Sequence, residues 1–288
     1  MGTLVAKCYP TKLFLKSADH TYVECSSGIK NWGCWGGKKN GKYLTSGEGS
    51  TKRANAIAEP NEKAGIKRYL IDGVCHQSAN RILLPARILV SQAKGYRLSS
   101  SVFGTYGKSL FNQHTDISGD LPECHDLTKQ KDIPKNEDLQ IISANFEIYN
   151  KYSNDYSLIN NSLSDFYQSL ISMQTDIFTE EVKIWAGEQI SSRKLSEIKD
   201  AKKNLEKQLL SNNSTILLED SDNPIEFIQS FEKIINGFQS NIADILNDSE
   251  YKTLLKLNRD ERISLIDPEA LDLEFGAGTF EKAFPKYF

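Results

Sequence analysis

The sequence contains no apolar run of the ~18 or more residues that a membrane-spanning helix needs, so no membrane span is expected. The N-terminal stretch "MGTLVAKCYPTKLFLK" lacks the basic-then-apolar layout of a signal peptide. Ala6 stands where N-myristoylation requires serine or threonine. These absences predict a cytoplasmic protein, although a dedicated secretion system could still export it without a Sec signal.

Motifs for phosphate, metal and disulfide chemistry are also missing. "FGTYGK" and "WGGKKNGK" contain glycine and lysine but not the G-x-x-x-x-G-K-[ST] spacing of a phosphate loop. Zinc sites usually contain close cysteine pairs, and the residues available for one are not so spaced: Cys25, Cys34, Cys124 and His125. The odd count of 5 cysteines argues against a disulfide framework. We therefore predict no cofactor, no metal and no disulfide.

The chain also lacks dense clusters of lysine and arginine, so nucleic acid is not the expected partner. Up to residue 134 there are 19 lysines and arginines against 11 aspartates and glutamates, a balance of +8, and the rest of the chain has a balance of −11. All 5 cysteines, all 4 histidines and 14 of the 18 glycines precede residue 134. This asymmetry predicts two regions, 1–134 and 135–288, with nucleophilic chemistry confined to the first.

The two regions also differ in their hydrophobic patterns. In the first, "HTYVEC" predicts a strand, residues 46–65 a loop, and residues 95–107 strand and turn. From Cys75 apolar residues recur at helical spacing until Pro85, which should end that helix. Beyond about Glu137 the pattern is that of long amphipathic helices. The expected fold class is α+β: an N-terminal α+β domain followed by an all-α helical bundle that caps a groove or binds a partner.

The segment "GVCHQSANRIL" places Cys75 at the start of the predicted helix. A thiol attacks as the thiolate, which a helix N-terminus and a nearby imidazolium stabilise. The adjacent His76 lies about 100° around the helix from Cys75, so the base must come from elsewhere in the fold. His20, at the start of "HTYVEC", is the favoured base, with His114 and His125 as alternatives. The competing interpretation is that Cys75 is a small buried apolar residue.

A catalytic imidazole needs an orienting acceptor, and spacing does not separate the candidates: Glu24, Asn31, Glu48 and Asp72. Amides of the first helical turn could hold an oxyanion together with the Gln77 side chain, unless Gln77 is an ordinary capping residue. In "NWGCWGG", Trp32 and Trp35 could line a substrate groove, but a core role beside a tight turn is favoured.

The order of strand-borne His20 before helix-borne Cys75 resembles the circularly permuted papain-like cysteine hydrolases. That family includes permuted NlpC-type peptidases and relatives of lecithin-retinol acyltransferase. The resemblance covers residues 1–112 and implies that His20 is the base, Cys75 the nucleophile, and Asn31 or Glu48 the third polar residue. "GVCHQ" departs from the family's D-C-S-G and N-C-E-H signatures. The Asn-, Lys-, Ile- and Ser-rich helical region resembles effectors of intracellular bacteria.

The sequence thus predicts a cysteine-nucleophile hydrolase or acyltransferase that acts on an amide or peptide bond of a protein or peptide substrate. Peptidase, amidase, deamidase and transglutaminase share the first half-reaction, so all four stay open. The alternative is a non-catalytic, effector-like interaction protein whose helical region binds a partner. A third possibility is a zinc-stabilised binding module.

Overall fold

The predicted α+β class is confirmed by a computed structural model, which combines one small antiparallel sheet with many helices. It describes residues 2–11, 17–25, 31–33, 40–58, 64, 66, 68–108, 136–155, 163–217 and 224–287. Among these residues, no helix is long and apolar enough to cross a bilayer.

Within the described residues the sheet contains four strands in the spatial order β3-β2-β1-β4. They are β1 (Gly2–Pro10), β2 (Asp19–Cys25), β3 (Asn31–Gly33) and β4 (Lys42–Gly49). In β1, the buried Leu4, Ala6 and Cys8 alternate with half-buried residues, as expected for a strand with one face on a core. The strand predicted from "HTYVEC" is confirmed as β2. It pairs antiparallel with β1, and His20 lies opposite Tyr9 in this pairing.

Three helices are described in the N-terminal region: α1 (Thr51–Ala58), α2 (Cys75–Leu83) and α3 (Tyr96–Phe103). α1 and α2 pack against the sheet, and α3 packs against α2. The helix predicted from Cys75 is confirmed, and a short 3-10 turn containing Pro85 follows it. The loop predicted for residues 46–65 is wrong, because β4 and α1 occupy most of its described part. Ser50 supports α1, since its Oγ accepts a hydrogen bond from the Arg53 amide at 3.3 Å.

The strand predicted within residues 95–107 is also wrong, because α3 lies there. This helix is short and buried along its whole length, and its three consecutive serines and the glycines on either side of it favour turn rather than helix in a local reading. Two of its serines fit a helix because their hydroxyls bond back to backbone carbonyls: Ser99 Oγ donates to the Tyr96 carbonyl oxygen at 2.9 Å and Ser101 Oγ to the Arg97 carbonyl oxygen at 2.6 Å.

The long helices predicted after residue 137 are confirmed in the described residues. They are α4 (Glu137–Asp155), α5 (Leu163–Ala186), α6 (Ser192–Leu217) and α7 (Ile225–Ile245). Shorter helices follow: α8 (Asp248–Leu255), α9 (Pro268–Phe275) and α10 (Thr279–Ala283). Short 3-10 turns follow α5 and α10. In α7, buried Phe231, Ile235, Phe238 and Ile242 recur at three- and four-residue steps, the apolar stripe of a helix packed on one face.

The helical region packs closely on the N-terminal region. Buried apolar side chains from both belong to one continuous hydrophobic cluster. Charged groups also meet across the contact: Lys202 of α6 donates to the Ser101 carbonyl oxygen of α3 at 2.6 Å, and Lys108 pairs with Glu206 of α6 at 2.7 Å. The division into domains at residue 134 stays a prediction, but the two regions share a buried interface.

Candidate functional site

Cys75 is the first residue of α2, and a tight loop carries the chain into it. Tyr69 and Gly73 form an isolated bridge within that loop, and Leu70 adopts a left-handed conformation with φ of 64°. The loop lies against Gly107, whose φ is +83° and where a Cβ would lie 2.7 Å from the Asp72 carbonyl oxygen. Only glycine allows this approach, so Gly107 supports the segment that presents Cys75.

Gln77 belongs to the frame of this helix start. Its Oε1 accepts a hydrogen bond from the Val74 amide at 3.1 Å, and its Nε2 donates to the Gly104 carbonyl oxygen at 3.1 Å. Gly73 leaves room for it, because a Cβ there would lie 3.0 Å from the Gln77 Cβ. Gln77 therefore has the capping role that the sequence left open as the alternative to an oxyanion donor.

His20 lies on β2 next to the residue that the thiol contacts. The Cys75 Sγ is 3.7 Å from the carbonyl oxygen of Asp19, the residue before His20. Both side chains are almost fully enclosed, with exposed fractions of 5% for Cys75 and 1% for His20. The Tyr9 ring stacks on the imidazole, with ring centroids 4.9 Å apart and planes 19° from parallel. The fold thus brings the predicted nucleophile beside the strand segment that carries the predicted base.

Asp267 orients the imidazole, although no sequence pattern indicated it. Its Oδ2 lies 2.6 Å from His20 Nδ1. Its Oδ1 caps α9 by accepting hydrogen bonds from the amides of Glu269 at 2.9 Å and Ala270 at 3.4 Å. One carboxylate oxygen is thereby held by the helix start while the other faces the imidazole, so the carboxylate cannot turn away from His20 without breaking its cap.

The other ring nitrogen of His20 is available for chemistry. A carboxylate oxygen only accepts hydrogen bonds, so Nδ1 carries the proton and Nε2 keeps a lone pair in the neutral ring. His20 Nε2 is buried and has no hydrogen-bond partner among the described residues. Nε2 is therefore the ring nitrogen whose lone pair no described donor engages.

The other orienting candidates have different partners or positions. Glu24 forms an ion pair with Lys7 at 2.5 Å, and Glu48 accepts a hydrogen bond from Thr3. Asp72 Oδ2 accepts from the Arg68 amide at 3.2 Å. The backbone of Asn31 pairs with Glu24, four residues and thus about 13 Å along β2 from His20.

Several further predictions fall wholly or partly outside the described residues. His114, His125, Cys34, Cys124 and Trp35 all lie there. Within the described part of the chain, no group of three or more His, Cys, Asp or Glu side chains is arranged to hold a metal ion.

His76 is hydrogen-bonded to α3, although its ring also lies close enough to His20 to interact with it electrostatically. Its Nδ1 is hydrogen-bonded to Ser99 Oγ at 2.7 Å, and the side chain is fully buried. Burial, and secondly the proximity of His20, lower the pKa of His76 to about 3. His76 is therefore a neutral structural histidine at physiological pH.

Two tyrosines enclose the site as neutral hydroxyl groups. Burial, followed by the charge of Asp267, raises the pKa of both Tyr9 and Tyr69. Cys75 also contributes to both shifts, which places the thiol and the two phenol rings in one electrostatic neighbourhood. Neutral rings around the His20–Asp267 pair keep water away and strengthen its hydrogen bond.

No protein-family model, curated protein or solved structure matches this chain.

Proposed function

We propose that the protein is a cysteine-nucleophile hydrolase or acyltransferase, with Cys75 as the nucleophile, His20 as the general base and Asp267 as the orienting acid. The observation that carries this proposal is the buried 2.6 Å contact between His20 Nδ1 and Asp267, which leaves His20 Nε2 without a partner among the described residues. Nucleophile, base and orienting acid are the three parts of a triad, which is recognised by geometry rather than by chain order.

The reaction would follow the acyl-enzyme route. His20 Nε2 takes the proton of the Cys75 thiol, and the thiolate attacks the carbonyl carbon of an amide. The C–N bond then breaks as the imidazolium returns its proton to the leaving amine. Water or a second amine, deprotonated by His20, attacks the resulting thioester and restores the thiol. Asp267 stabilises the imidazolium in both halves of the cycle.

The start of α2 supplies the electrostatic support for this chemistry. The backbone amides of the first helical turn have no carbonyl partner within the helix. They point away from the helix start, where they can bind an anion. In this turn the Val74 carbonyl oxygen already accepts from the amides of Gln77 and Ser78. We assign the His76 amide to the oxyanion of the tetrahedral intermediate.

The likeness to permuted papain-like hydrolases remains part of the proposal. The order of a histidine-bearing β2 before a cysteine-bearing α2 supports it. The position of Asp267, far beyond both and at the start of a helix, departs from the third residue on a strand that the family would supply. We propose a protein or peptide substrate, which the helical region helps to recognise.

Thiol alkylation tests the nucleophile without knowledge of the substrate. Iodoacetamide should modify Cys75 of the full chain at pH 7 faster than Cys8, whose thiol pKa is raised to about 12 mainly by burial. His20→Ala should slow modification of Cys75 by about tenfold or more and leave Cys8 unchanged. Equal alkylation rates at Cys75 and Cys8, with no effect of His20→Ala, would exclude the proposed enzymatic function.

The low exposure of Cys75 and His20 favours the second candidate, a non-catalytic interaction protein in which both are core residues. Under that function, Cys75→Ala would leave binding of the protein partner intact. Under the enzymatic function, the same variant would abolish labelling by an electrophilic acyl probe.

A further inference from the structure

Residues 263–267 form an extended segment, here called the acid strap, that delivers Asp267 to His20. On one side α7 holds it, because Gln239 Nε2 donates to the Ile263 carbonyl oxygen at 2.9 Å and Gln239 Oε1 accepts from the Ile263 amide at 3.1 Å. On the other side the Ala18 amide donates to the Ser264 carbonyl oxygen at 2.9 Å. The strap therefore lies between the helical region and the chain that leads into β2.

Tyr69 is hydrogen-bonded to the end of this strap that contains Asp267. Its hydroxyl accepts a hydrogen bond from the Asp267 amide at 2.7 Å and donates to the Leu265 carbonyl oxygen at 3.3 Å. The side chain is buried, with 1% of its surface exposed. This one hydroxyl thus hydrogen-bonds two backbone groups of the strap, the Asp267 amide and the Leu265 carbonyl oxygen. These two bonds fix the position of Asp267 relative to the imidazole.

Tyr69 also belongs to the loop that presents the nucleophile. It is bridged to Gly73, two residues before Cys75. Its own amide donates to Glu274 Oε1 of α9 at 3.3 Å, so both its backbone and its side chain reach the segment around Asp267. A displacement of the acid strap would therefore be transmitted to the Cys75 loop, and the reverse.

We propose that Tyr69 is a positioning residue for the candidate triad: its hydroxyl holds Asp267 against His20 from the same loop that carries Cys75. This inference rests on the proposed function, because it assigns Tyr69 a role in that site. The role is indirect, since the hydroxyl is bonded to the strap backbone, and its effect on the thiol passes through Asp267 and His20. Phenylalanine would keep the ring and its packing but leave the Asp267 amide and the Leu265 carbonyl oxygen without this partner.

The test is a double-mutant cycle on the full chain, read by the rate at which iodoacetamide alkylates Cys75 between pH 5 and 9. Tyr69→Phe should lower the rate at neutral pH by about 10- to 100-fold, the order expected when a reacting group is misplaced by about 1 Å. In an Asp267→Asn background the same substitution should have little further effect, because Tyr69 acts through Asp267. Equal effects of Tyr69→Phe in both backgrounds would overturn the proposal.

Tyr251→Phe is the matched control. The Tyr251 hydroxyl is buried in α8 and has no hydrogen-bond partner within the described residues, so its loss should leave the alkylation rate unchanged. If Tyr69→Phe does not fold, Gln239→Leu enters the same cycle, because it releases the acid strap from α7 without altering the Cys75 loop. An additive effect of Gln239→Leu would then overturn the proposal.

A second measurement separates failure of this inference from failure of the proposed function. The Nδ1 proton of His20 should give a low-field proton NMR signal that reports its hydrogen bond to Asp267 whether or not the protein is an enzyme. Tyr69→Phe should shift or broaden that signal, and an unchanged signal would overturn the positioning role. A shifted signal in a protein whose Cys75 is unreactive would support the positioning role while excluding the enzyme.

Discussion

His20 and Asp267 are 247 positions apart in the chain, yet His20 Nδ1 lies 2.6 Å from Asp267 Oδ2 in a buried contact. His20 comes from the sheet and Asp267 from the segment that starts α9 in the helical region. The candidate site is therefore assembled from both ends of the chain. The helical region does more than cover the sheet, because it contributes the group that orients the imidazole.

Substitutions of Asp267 should separate its two roles. Asp267→Asn keeps an amino acid that caps helices as well as aspartate does, so the melting temperature should change little. It removes the negative charge beside His20, so alkylation of Cys75 at pH 7 should slow by about tenfold or more. Asp267→Ala should slow alkylation similarly and also cost about 1 kcal/mol of stability through loss of the cap. Wild-type reactivity in Asp267→Asn would refute the orienting role.

Gln77 should matter chiefly for stability. Gln77→Leu would leave the buried Val74 amide and Gly104 carbonyl oxygen without the bonds they now make. We expect a loss of about 2–4 kcal/mol in the free energy of unfolding, measured by urea denaturation. The exposed Gln189→Leu is the control and should change stability by less than about 0.5 kcal/mol. A stable Gln77→Leu protein would show that these hydrogen bonds contribute little.

The buried His76 should make the protein sensitive to acid. Its pKa is about 3 in the fold, chiefly because of burial, while in the unfolded chain it takes a proton near pH 6.5. Between these values the unfolded state binds more protons, so the stability contributed by neutral His76 is complete above about pH 6.5 and is lost as pH falls. The slope approaches about 1.4 kcal/mol per pH unit.

His76→Asn should reduce this slope, since asparagine keeps a polar group near Ser99 but does not titrate. Unfolding free energies at pH 7, 6 and 5 for both proteins give the comparison. Burial raises the pKa of Glu181, which acts in the opposite direction, but that contribution is common to both proteins and cancels in the difference. Parallel pH profiles for the two proteins would contradict the prediction.

The buried Lys202 should be important for joining α6 to α3. Its Nζ lies 2.5 Å from Glu206 Oε1 and donates to the carbonyl oxygens of Ser101 and Val102. Lys202→Met would leave Glu206 short of one counter-charge in a buried place, at a cost of about 3–5 kcal/mol in urea denaturation.

The matched control for Lys202 is the exposed pair of Arg193 and Glu197, also four residues apart on α6. Arg193→Met should cost about 0.5 kcal/mol or less, because water screens exposed ion pairs. Similar losses for both substitutions would show that burial does not strengthen the role of Lys202.

Local patterns predicted the elements that present the nucleophile and the base. The apolar spacing after Cys75 and the β-branched and aromatic content after His20 correspond to α2 and β2. The same reasoning failed for α3, because its three consecutive serines and flanking glycines have low helix propensity, and packing in the core overrides that local preference. Polar composition likewise concealed β4 and α1.

Asp267 shows the limit of local patterns most clearly. The pair Asp267-Pro268 is a recognisable sequence signal for a helix start, because an N-cap aspartate is followed by proline in the first turn. Nothing within a few residues of it indicates that its second carboxylate oxygen faces a strand at the other end of the chain. Tyr69 is equally unremarkable in sequence, and its hydroxyl acquires a role only where the acid strap passes over it.

By itself the sequence determined that every cysteine and histidine lies before residue 134, that Cys75 begins a helix and that His20 lies on a strand, because helix and strand signals depend on neighbouring residues. Only the tertiary structure decided that Asp267, rather than Glu24, Asn31, Glu48 or Asp72, meets His20. The physical reason is that a hydrogen bond across 247 positions depends on how the sheet and the helices pack, and that packing is a property of the whole core.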